Sequence, residues 1–98
     1  MGRMSVEEWA EIAIEGVDKI KDRAVEDEGL RYVGGKLKFA MSEKSADKVA
    51  ISFELYFQDD NDEWHKVGAD SGIYSSGFTP ESLEEIKSKG EILFEVEG

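Results

Sequence analysis

Val49-Ala50-Ile51-Ser52-Phe53-Glu54-Leu55-Tyr56-Phe57 is the stretch on which the fold turns. Its odd positions (Val49, Ile51, Phe53, Leu55, Phe57) are large and apolar. Its even positions (Ala50, Ser52, Glu54, Tyr56) are small, polar or amphipathic. Unbroken period-2 alternation in β-branched and aromatic residues predicts a strand with one face in a core and the other nearer water. A one-residue slip would turn all five large apolar side chains onto the wrong face, so the register is strongly specified. The strand is expected at the centre of an antiparallel sheet, and the rest of the chain either covers or extends it.

Toward the N-terminus, Ser5-Val6-Glu7-Glu8 is a capping box that opens a helix expected to run to about Ala24. Val6, Trp9, Ala13, Val17, Ile20 and Ala24 form one apolar stripe, which should lie on the Ile51, Phe53 and Leu55 face. Trp9 and Phe53 are its expected aromatic contacts with the core. Glu8, Glu11, Glu15, Asp18 and Asp22 form an acidic ridge on the opposite side, where like charges at i,i+3 and i,i+4 repel. Gly29 is a stop signal. Leu30-Arg31-Tyr32-Val33 and a segment over 36–42, joined by Gly34-Gly35, read as a hairpin, because paired glycines supply the positive φ of a two-residue turn.

Toward the C-terminus, Gln58-Asp59-Asp60-Asn61-Asp62-Glu63 reads as a hairpin loop, 64–69 as a strand and 70–77 as a flexible link. Thr79 is placed to cap a second helix with Pro80 at its first position and Phe78 stapled to Leu83, and Gly90 ends it. Ile92, Phe94 and Val96 alternate in a last strand. The expected architecture is a two-layer α+β domain over residues 1–98, with the N-terminal helix on an antiparallel sheet of four to five strands, in the order α-β-β-β-β-α-β. Residues 1–4 are expected to be a disordered lead or a cloning remnant.

The helix-then-meander order looks like the cystatin arrangement, and α-β-β-β-α looks like the double-stranded-RNA-binding domain; no motif carries either likeness. RNA binding would need basic side chains toward phosphates, whereas the second helix begins with Glu81 and the first presents acids.

Twelve basic residues against 23 acidic ones leave a net charge of −11 and a pI near 4.4. Such a field repels nucleic acid and anionic membranes and attracts basic partners. There is no cysteine, hence no disulfide scaffold, thiolate metal site or cysteine nucleophile. No apolar run reaches the roughly 18 residues of a membrane span, and a cytoplasmic location is expected. No cofactor motif is present: no phosphate-loop pattern follows Gly34-Gly35. His65, the single histidine, reads as a surface strand residue rather than a catalytic group. Asp59, Asn61 and Glu63 fit the start of a calcium-loop count, but Trp64 stands where that loop needs glycine, so no metal site is assigned.

The second sheet face carries Lys38, Ala40, Ala50, Ser52, Glu54, Tyr56, Trp64, Lys66 and Leu93 by parity. Its rings, Tyr56 and Trp64, need a cover, which is either the second helix or another chain, and such residues are enriched in interface hot spots. The expectation is therefore a non-enzymatic acidic domain that binds a basic protein through the ridge and these two rings, in an inhibitor, immunity-type or adaptor role, with a homodimer as one form of association. A small-ligand module with a pocket between the first helix and the sheet is the alternative. An enzyme is the remaining one.

Overall fold

The computed structural model describes residues 3–43, 48–74 and 77–97, the side chains of 69–74 excepted. Its elements are α1 (Val6–Glu28), β1 (Arg31–Met41), β2 (Val49–Gln58), β3 (Trp64–Tyr74), α2 (Pro80–Lys89) and β4 (Glu91–Val96). The four strands form one antiparallel sheet in the order β3-β2-β1-β4. This is the expected two-layer α+β domain, with β2 inside the sheet and its odd side chains buried while its even ones are half-buried.

The helix punctuation follows the sequence. The Ser5 hydroxyl accepts from the Glu8 amide and donates to the Glu8 carboxylate, both at 3.3 Å. α1 runs to Glu28, four residues past its expected end near Ala24, and Gly29, the expected stop, closes it in the left-handed region. Thr79 caps α2 by accepting from the Ser82 amide, with Pro80 first in the helix.

Two segments differ from expectation. The predicted hairpin at Gly34-Gly35 is a single strand, β1, paired with β2 along its length. Leu30 and Tyr32 are apolar at even positions, whereas Leu37, Phe39 and Met41 are apolar at odd ones. A bulge between Tyr32 and Gly34 reverses the parity, so both arms use the same face without a turn. Gly35 is needed for close approach: a Cβ there would lie 2.6 Å from the Glu54 carbonyl oxygen and 2.7 Å from Leu55 Cδ2. Likewise the link expected over 70–77 is strand as far as Tyr74, with a second irregularity opposite Ile51 and Ser52. Residues 75 and 76 of that link lie outside the described residues.

Both helices pack on the odd face of β2. Ala13, Val17 and Ile20 of α1 lie against Leu37 and Phe53. Phe78, just before α2, meets Phe39 edge-on at 6.3 Å, and Ile86 of α2 is fully buried. The helix N-termini are joined directly: the Val6 amide donates to Ser82 Oγ at 3.1 Å. Met4 pairs with Phe78, its amide donating to the Gly77 carbonyl at 2.8 Å, so Met4 does not belong to a loose lead. Trp9 is half-buried rather than central. Its ring stacks on Phe78 at 5.1 Å, and its Nε1 donates to the same Gly77 carbonyl at 2.9 Å. Phe53 is buried as expected, at 8% exposure.

Phe39, fully buried between Phe78 and Phe94, is the aromatic centre of the core. Phe39→Ala is expected to lower stability by roughly 3–5 kcal/mol in urea unfolding. A loss under about 1 kcal/mol would place Phe39 outside the core.

Candidate functional site

With both helices on one side, no helix or strand among the described residues covers the other face of the sheet. The registers set Lys36, Lys38 and Ala40 of β1 between Glu54, Ser52 and Ala50 of β2 and Glu95, Leu93 and Glu91 of β4; Tyr56 and Lys66 extend the face. Three lysines (Lys36, Lys38, Lys66) thus share it with the glutamates Glu54, Glu91 and Glu95, and with Glu97 just past the end of β4. Lys36 lies 3.7 Å from Glu54, and Lys38 lies 3.7 Å from Glu91. The Tyr56 hydroxyl donates to Glu54 Oε2 at 2.6 Å. That bond holds the Glu54 carboxyl below its usual range, aided by the nearby lysines, and raises the Tyr56 hydroxyl above its own.

Tyr56 is therefore half-buried and anchored. Trp64 and Leu93 are not: they are 63% and 50% exposed. Between them runs a trough of about 600 Å³ lined by Val33, Gly34, Gly35, Tyr56, Trp64 and Leu93, with Lys36, Glu95 and Glu97 at its margins. Its floor is low at Gly34, which stands opposite Tyr56 and carries no side chain.

The acidic ridge is on the opposite side of the molecule. Glu8, Glu11, Glu15 and Asp22 are exposed, and Asp18 is half-buried in an ion pair with Lys21 at 3.1 Å. Lys21 also sits over the Tyr32 ring, 4.7 Å from its centre. The ridge residues and the pair Tyr56 and Trp64 are not brought into one site. In all, α1 holds nine acids against three bases, and its last turn has no base to offset the helix dipole there. Sequence reading missed one contact beyond α1. Arg31, three residues past Glu28, reaches Gln58 and lies 3.8 Å from Asp62.

Within that loop, Asp59 organises its own turn. Its Oδ1 accepts from the amides of Asn61 (2.8 Å) and Glu63 (3.0 Å), and its Oδ2 lies 2.8 Å from His65 Nε2. The His65 contact, followed by the Glu63 and Asn61 amides, holds the Asp59 carboxyl below the ordinary range. Among the described residues no group of three or more histidine or acidic side chains converges in a way that could hold a metal ion. On the helical side, Ala13, Gly16, Val17, Ile20, Leu37 and Phe53 line an apolar crevice of about 240 Å³ between α1 and the sheet. No helix among the described residues is long and apolar enough to cross a membrane.

No protein-family model, curated protein or solved structure matches this chain.

The Asp59 geometry gives a pH dependence. A carboxyl with a lowered folded-state pKa stabilises the turn above the ordinary carboxylate range, and that contribution is lost as pH falls through the folded value. NMR titration should place the Asp59 midpoint below that of an unstructured aspartate, and Asp59→Ala should speed amide exchange at Asn61 and Glu63. An ordinary midpoint with unchanged exchange would show that the turn holds without this carboxylate.

Proposed function

We propose that this chain is a non-enzymatic protein-binding domain whose acidic side engages a basic protein partner. The observation that carries the reading is the segregation of charge. The sheet face left uncovered by the helices is close to balance, with three lysines among four glutamates. The acidic excess sits on α1, on the Asp59–Glu63 loop and, by a single charge, on α2. A field of one sign gathered on one side steers an oppositely charged surface toward that side and raises its encounter rate. Inhibitor, immunity-type and adaptor roles all fit such a surface, whereas nucleic acid and anionic membranes would be repelled by it.

The small-ligand reading rests on the crevice beside Gly16. At about 240 Å³ it falls short of the roughly 300–1,000 Å³ of typical ligand pockets. The enzyme reading has less to build on. The His65–Asp59 pair lies at an exposed hairpin, and the second Asp59 oxygen is occupied by two backbone amides.

Affinity capture from lysate of the source cell, at low and high salt, should retain a basic protein at low salt only. Association kinetics of that protein should then be compared for wild type and a triple variant, Glu11→Gln, Glu15→Gln and Asp22→Asn, chosen because no ion pair engages these three among the described residues. The variant should associate several-fold more slowly at low salt with a flatter salt dependence, while dissociation changes less. Its fold should remain intact, because removing like-charge neighbours relieves repulsion of a few tenths of a kcal/mol per pair. Wild-type association across the salt series would make the ridge a solubility feature.

A further inference from the structure

We propose that the bare sheet face is a dimer interface that seats a second copy of this chain, with Trp64 of each copy lying in the Gly34 trough of the other. Three observations on this face favour a second copy over any other occupant. The first is charge. Two identical faces, each carrying Lys36, Lys38 and Lys66 among Glu54, Glu91, Glu95 and Glu97, are close to balance and meet with little net repulsion, and the ladder of opposite charges can exchange partners across a two-fold axis. Contact through α1 would instead oppose two surfaces of nine acids and three bases each. A basic partner, for its part, is drawn to the far side of the molecule.

The second observation is shape. A two-fold interface is self-complementary: one patch must supply both the knob and the hole. Trp64, 63% exposed, is the knob. The hole is the trough of about 600 Å³ over Gly34 and Gly35, bounded on its far side by Leu93 and Val96 and large enough for an indole ring. Trp64 itself and the anchored Tyr56 line its near side.

The third is area. Four strands about 4.8 Å apart and some eight residues deep give a flat footprint of roughly 500 Å² per copy. Upright side chains raise the accessible area above that, toward the roughly 800 Å² per partner of a standard specific interface. A face of this extent suits a reversible, concentration-dependent dimer.

Sedimentation equilibrium of the full chain over a concentration series tests this. Wild type should approach twice the 11.0 kDa monomer mass. Trp64→Ser should raise the dissociation constant about tenfold or more, with an unchanged thermal melt at concentrations where both proteins are monomeric, because the ring is exposed in the monomer. Leu93→Glu, at the other wall of the trough, should do the same and serves if Trp64→Ser fails to fold. Ile12→Ser, a change to an exposed apolar residue of α1, should leave the dimer intact. Wild type that stays monomeric throughout would overturn the proposal. So would a dimer insensitive to both sheet variants, or one lost with Ile12→Ser alone. None of these outcomes bears on the ridge, so the basic-partner reading stands or falls separately.

Discussion

The amide of Val6 is one of the unpaired donors at the start of α1, and Ser82 of α2 accepts from it from 76 residues away. That bond lies in a small junction with the Met4–Phe78 bridge and the Gly77 carbonyl, which takes both the Met4 amide and the Trp9 indole. Gly77 is suited to it: its φ is +96°, and a Cβ would approach Trp9 Cζ2 to 3.0 Å. The junction ties the two helix starts together and so places both helices on the same side of the sheet. The bare face follows from this.

The composition of the two sheet faces favours the same outcome. Had α2 crossed to the other side, it would have covered Lys36, Lys38, Glu54 and Glu91, whose ion pairs at 3.7 Å are long and partly exposed. Removing such charges from water costs several kcal/mol per ion unless geometry and hydrogen bonding are excellent. On the other side Ile86 and Phe78 find Phe39, Ile92 and Phe94. The sheet is therefore two-sided in its chemistry before either helix packs on it.

Much of this was legible in the residues. The β2 alternation, the Ser5 and Thr79 caps and the Gly29 and Gly90 stops each encode local geometry, and each lies where the pattern puts it. What was not legible was non-local. A Gly-Gly pair between runs of opposite parity is compatible with a turn or a bulge. The choice is made by β2, which offers β1 a continuous edge from Val49 to Gln58. The same holds for the site. Tyr56, Trp64 and Leu93 share a face by parity alone, but the trough over Gly34 exists only because β1 runs straight through. Whether α2 covered that face depended on Ser82, a small polar residue with no signal of its own. Arg31 likewise gave no sign that it would reach Gln58 and Asp62.

The net charge of −11 takes its meaning from distance. The ridge lies on the outer side of α1, the rings on the far side of the sheet, and a helix about 10–12 Å across stands between them together with the sheet itself. At physiological salt the Debye length is about 8 Å, so the ridge is separated from the bare face by roughly two screening lengths. A surface approaching Trp64 and Leu93 meets Lys36, Lys38 and Lys66 among Glu54, Glu91, Glu95 and Glu97, close to balance, while one approaching α1 meets the acidic excess. The two faces therefore act as electrostatically separate surfaces on one small domain. A single acidic composition is thereby compatible with both proposed contacts, one steered by charge and one made by aromatic and aliphatic surface.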